Sequence, residues 1–127
     1  MAVEIVILAP VMMLFVLLIV MAGRYVAVRG DIDAAARDAA RAASLQVTHA
    51  EGLAAARSVV AASLDTQTKA TSCNRTTMSP GWGPGATLTV TVTCKVSYQG
   101  LGLLGVPGST TVTTESRVPL DPYRSYR

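Results

Sequence analysis

Residues 5–23 read IVILAPVMMLFVLLIVMAG. The run carries no charge and takes much of the chain's Ile, Leu and Met. As a helix rising 1.5 Å per residue it spans on the order of 29 Å, close to the hydrocarbon thickness of a bilayer. A cleaved signal peptide would have a shorter apolar core, a basic segment before it and small residues at a cleavage site. Here MAVE precedes the run and no such site is clear, so the sequence reads as a retained transmembrane helix. Pro10 removes one backbone donor and crowds the carbonyl of Val6, which predicts a kink or a loosened turn. Glu4 opens the run, where the helix dipole favours a carboxylate. Two readings of Glu4 stay open on physical grounds: an interfacial side chain reaching water, or a partner for a positive group on a neighbouring subunit.

Working outward from that run, residues 24–45 carry apolar side chains at steps of three or four: Tyr25, Val28, Ile32, Ala36, Ala39 and Ala43. That is one face of a helix. Arg29, Asp33, Arg37 and Arg41 recur at steps of four on the other side, where Asp33 can pair with Arg37. Small side chains at Ala35, Ala36, Ala39 and Ala43 let another element approach closely, either a helix of a partner or the chain's own domain. Thr48 stands three residues before Glu51, the spacing of a capping box. It opens a second helix expected over 49–64, with 65–68 ending it. His49, the one histidine, has no Asp, Cys or Ser constellation near it in sequence and reads as a surface residue.

Residues 86–98 read ATLTVTVTCKVSY. Leu88, Val90, Val92, Cys94, Val96 and Tyr98 alternate with hydroxyl side chains and Lys95, which predicts a strand with one apolar face. The Ala-rich helix is its expected cover. Cys94 falls on the apolar face, within reach of Cys73 on a preceding strand or loop. The pair lacks the spacing of a redox motif or a zinc site, and a disulfide is the expected use. A disulfide places this part of the chain in an oxidising compartment outside the cytoplasm. Residues 74–85, NRTTMSPGWGPG, read as a Pro/Gly turn region with a short glycosylation-like triplet at Asn74. Residues 99–108 read as a hairpin loop whose leucines are available to a partner or a membrane. Residues 109–118 form the return strand, with Val112, Thr114 and Val118 on one face. The ending is a polar tail, ordered only if docked.

The chain of 127 residues has room for one domain at most. Outside the apolar run it is rich in Ala, Thr, Ser and Gly, with one Phe in the run and one Trp beyond it. Such a remainder buries little apolar surface. The net charge of +3 is modest, and its arginines are dispersed without interleaved aromatics, which excludes a nucleic-acid footprint. No paired carboxylates, Gly-rich phosphate loop, metal cluster or nucleophile–base set is legible, so no enzyme, metal or cofactor is expected. The fold class read from these patterns is α+β. It has a long N-terminal transmembrane and amphipathic helix, a second short helix, and a small antiparallel sheet. The divisions are 1–23 for the transmembrane helix and 24–64 for the Ala-rich extracytoplasmic helices. A disulfide-stapled β-domain follows over 65–118, then the tail over 119–127.

The ordered set Val3-Glu4, Pro10, Gly23-Arg24, Ala35-Ala36-Arg37 and Ala39-Ala40-Arg41 resembles the TadE-like family, pilin-like proteins of tight-adherence (Tad) pilus systems. The second Ala-rich helix and the ending Val118-Pro119-Leu120-Asp121 also fit, so the resemblance covers about half of the chain. It implies a pilin-like fold and a pilin-like subunit or minor pilin assembled through its N-terminal helix, with residues 1–23 as the filament-core helix. The implied partners are the membrane, other pilin subunits, the Tad assembly machinery and a prepilin peptidase. In pilins a Glu at the fifth mature position pairs with a neighbour's N-terminal amine; this role maps onto Glu4 and favours the second of its two readings. A buried amine and carboxylate each cost several kcal/mol unless paired.

The sequence departs from that pattern in having no basic leader and in carrying its Glu at position four. The expectation is an upstream start, with a GTG codon read as Met1, so that Glu4 becomes the fifth mature residue. Arg24 and Arg29 after the apolar run would by themselves place the C-terminus in the cytoplasm. An upstream leader and the cysteines place it outside. The rival reading is a monomeric membrane-anchored binding module that contacts its partner through residues 74–85 and 99–108.

Overall fold

The computed structural model describes residues 2–65, 71–97 and 108–127, with side chains described from residue 5 and not at residue 65. The element order is α1 (Ala2–Ser44), α2 (His49–Asp65), β1 (Thr71–Met78), β2 (Thr87–Ser97) and β3 (Ser109–Pro119). The fold is α+β, as the sequence predicts. The chain divides into two compact units, Met1–Gly30 and Asp31–Arg127.

In the first unit α1 is helical on both sides of Pro10. Leu, Met and Ala are strong helix formers, and the β-branched residues among them are tolerated. Glu4 lies in the first part of α1, but its side chain falls outside those described.

The second unit is a helical layer on one face of a three-stranded antiparallel sheet of order β1-β2-β3. The central strand β2 alternates strictly. Leu88, Val90, Val92, Cys94 and Val96 are buried, while Thr87 and Lys95 are exposed. From β3 the same face receives Val112 and Ser116, and from β1 Thr76. The helices answer with Ile32, Ala35, Ala36, Ala39, Ala40 and Ala43 of α1 and Ala56, Val60 and Leu64 of α2. α2 packs against β1. α1 is tied to β3, because Thr114 Oγ1 donates to Asp33 Oδ1 at 2.7 Å. Each wholly buried Val, Leu or Ile contributes about 1.5–3 kcal/mol. The alanines contribute less, and let the helices and sheet come close.

β1 corrects the sequence reading of 74–85 as a turn region. The strand runs through Met78 and pairs with β2 from Thr71↔Val96 to Met78↔Val90. Pro and Gly begin only at Pro80, so nothing before that point breaks the strand. Asn74 is the extra residue where the register shifts between Cys73 and Arg75. The turn itself ends at Gly83-Pro84-Gly85-Ala86: Ala86 N donates to Gly83 O at 3.1 Å and Gly85 has φ 72°. Pro second and a positive-φ Gly third is the pattern of a type II turn.

The expected second helix and return strand are present as α2 and β3. Thr48 caps α2, accepting on Oγ1 from Glu51 N at 3.3 Å. The loop expected over 99–108 lies outside the described residues apart from Gly108, as do residues 66–68 of the expected helix end.

Candidate membrane and assembly segment

The apolar side chains of residues 5–23 are not covered by any of the described residues. Ile7, Met13, Phe15 and Ile19 each expose more than half of their surface, and none of the apolar window is buried. A large aliphatic side chain left in water forgoes about 1.5–3 kcal/mol. A row of them on one helix marks a surface meant for hydrocarbon or for other subunits. α1 is long and apolar enough to cross a membrane. Within α1 the apolar run is followed by Arg24 and Tyr25, residue types that settle at a membrane–water boundary.

Of the residues assigned to helix packing, Ala35, Ala36, Ala39 and Ala43 are each at most 2% exposed inside the second unit. Ala40, which the periodic reading passed over, is covered as completely. Tyr25, counted in that stripe, is exposed. Arg29, Arg37 and Arg41 are exposed on the outer side, as expected. Asp33 departs from them: it is half-buried and held by Thr114. Among the described residues no ion pair joins it to Arg37. A strand hydroxyl at hydrogen-bond distance holds the carboxylate toward the sheet rather than toward the arginine one turn on.

Cys73 and Cys94 are joined in a disulfide and stand directly opposite each other in the β1–β2 register. The bond ties the edge strand β1 to the centre of the sheet just beside the bulge.

A cluster that sequence reading missed closes one end of the second unit. Trp82 Nε1 donates to Val47 O at 3.2 Å. The Trp82 ring meets His49 and Tyr126 edge-on, with centroids 5.6 and 5.4 Å away. His49, expected at the surface, is half-buried and its Nε2 donates to Ser79 O at 3.1 Å. The tail docks here. Arg124 donates to Leu45 O at 2.7 Å, Tyr126 Oη to Ser44 O at 3.4 Å and Arg127 N to Val47 O at 2.9 Å. Ser44 and Leu45 stand at the C-terminal end of α1, where helices leave acceptors unsatisfied and favour cations, and Val47 lies in the link to α2. The Trp, His and Tyr side chains thus serve the fold, and no group of three or more His, Cys, Asp or Glu positioned for a metal occurs among the described residues.

Residues 1–41 match the family model described as TadE-like protein. No curated protein and no solved structure matches the chain. The match takes in the uncovered apolar helix, Glu4, Pro10, Gly23-Arg24 and both Ala-Ala-Arg repeats, and stops before α2, the sheet and the tail. Over its first 41 residues the chain is therefore similar to TadE-like proteins, a family associated with Tad pilus systems and with a membrane.

Proposed function

We propose that the chain is a pilin-like structural subunit or minor pilin of a Tad-type pilus, anchored and assembled through the first part of α1. The observation that carries this reading is the content of the family match. It takes in an apolar run that no described residue buries, and continues into alanines that are spent on the chain's own core. Neighbouring subunits and lipid are then the cover for residues 5–23. Glu4 is the assembly carboxylate, pairing with the N-terminal amine of a neighbour. Pro10 leaves the carbonyl of Val6 without its helical donor within that packed segment. The second unit lies outside the cytoplasm, in keeping with the Cys73–Cys94 disulfide. Its role is structural rather than catalytic.

The test replaces residues 5–23 with an unrelated transmembrane helix of equal length. The pilus reading expects the hybrid to stay in the membrane and to be missing from sheared surface filaments that contain the native chain. An anchored binding module would tolerate the exchange, and a hybrid that retains every function of the native protein contradicts assembly through this helix.

A further inference from the structure

The sheet has two edges, and they are treated differently. β1 carries a register break at Asn74 and has α2 packed against it. Bulges and covering helices are the devices by which proteins blunt an edge. β3 has neither. It pairs with β2 without a shift from Ser109↔Ser97 to Pro119↔Thr87, and contains no Lys and no Pro before its last residue. Leu120 N donates to Ala86 O at 2.8 Å, which fixes the phase of the ladder. The even-numbered residues of β3 bond to β2, and the amides and carbonyls of Thr111, Thr113, Glu115 and Arg117 point away from the sheet. Among the described residues these outward groups have no backbone partner.

We propose that β3 is where a second copy of this chain adds strand to strand, antiparallel, about a two-fold axis at Ser116. The choice of a second copy rests on self-complementarity. Glu115 and Arg117 lie two residues apart on the exposed face, 3.7 Å from each other within one chain. A dyad at Ser116 sets Glu115 of each copy opposite Arg117 of the other, and brings Thr113 opposite Pro119. Each chain then donates the amides of Thr113, Glu115 and Arg117 to the other. A dyad one residue earlier would set Glu115 against Glu115, which like charges disfavour.

α1 passes Thr114 at Asp33 and reaches the tail beyond β3 at Leu45, so within the second unit it runs in the direction of β3. Antiparallel pairing of β3 therefore sets the α1 segments of the two second units running in opposite directions. The inference does not depend on assembly through Glu4.

The experiment labels two batches of the full chain with donor and acceptor dyes, mixes them in detergent micelles and reads pairing by energy transfer. Wild type is expected to pair. Glu115→Arg sets like charges against each other at both symmetric positions, and pairing should weaken about tenfold or more. Glu115→Arg with Arg117→Glu should restore it. Thr113→Pro removes an outward amide that β2 does not use, and should abolish pairing while the disulfide and circular dichroism stay unchanged. Wild type that shows no energy transfer, Glu115→Arg that pairs like wild type, or an exchanged pair that fails to recover would each overturn the proposal.

Discussion

Gly52 lies against the ring of Trp82: a Cβ at Gly52 would stand 2.9 Å from Cη2 and 3.2 Å from Cζ3 of that indole, and 3.4 Å from the carbonyl oxygen of Ala43. The glycine sits in α2, where it costs about 1 kcal/mol relative to Ala in an open helix. The ring cannot simply step aside, because Val47 O, His49 and Tyr126 hold it. Gly52→Ala is expected to lower stability by about 1–3 kcal/mol through overpacking. In a Trp82→Ala background the same substitution should become stabilising, because only the helix propensity remains. Thermal unfolding of the four combinations checks this. Gly52→Ala stabilising in the native background would show that the ring has room to move.

The tail is a structural part of the second unit. Arg124 donates to Leu45 O at the end of α1 and brings a positive charge to the negative end of the helix. Arg124→Ala should cost about 0.5–1.5 kcal/mol, discounted for its partial exposure. Amide exchange in the last turn of α1 is the direct measurement, and faster exchange there, with β2 unchanged, is the expected pattern.

Replacing both Cys73 and Cys94 by Ala should destabilise the second unit by about 3 kcal/mol on loop-closure entropy, for a sequence separation of 21. The thin, alanine-rich core makes that loss large relative to the whole. The urea midpoint of the double variant, compared with the native chain, reads it out.

Thr114→Val keeps the shape of the β3 side chain and removes the donor to Asp33. Asp33 is half-buried and loses a short bond, so stability should fall by about 1 kcal/mol. Asp33→Ala combined with Thr114→Val should cost little more than either change alone, and additive losses would show that the two residues act separately.

The pattern of β2 made most of this fold legible. Its period of two fixed which side of the sheet is the core, and Cys94 on that side pointed to Cys73 as its partner. The alanine face of α1 was legible by the same logic at period 3.6. The Trp82 cluster was not. Its contacts span 30 or more residues from Val47 and His49, with nothing periodic to announce them. Asp33 misled for a related reason: its spacing matches Arg37, and only the sheet's arrival decides that Thr114 holds it. The start of the turn region was misplaced because the Thr-rich beginning of NRTTMSPGWGPG belongs to a strand and only its second half carries Pro and Gly.

The central claim is assembly through the first turn of α1, and the most direct measurement compares wild type with Glu4→Ala in native cells. Surface filaments are sheared and sedimented, and the chain is quantified in filament and membrane fractions. The pilus account predicts wild-type chain in the filament fraction and Glu4→Ala retained in the membrane with its disulfide intact. Wild type and variant both confined to the membrane, or both entering filaments equally, would contradict it.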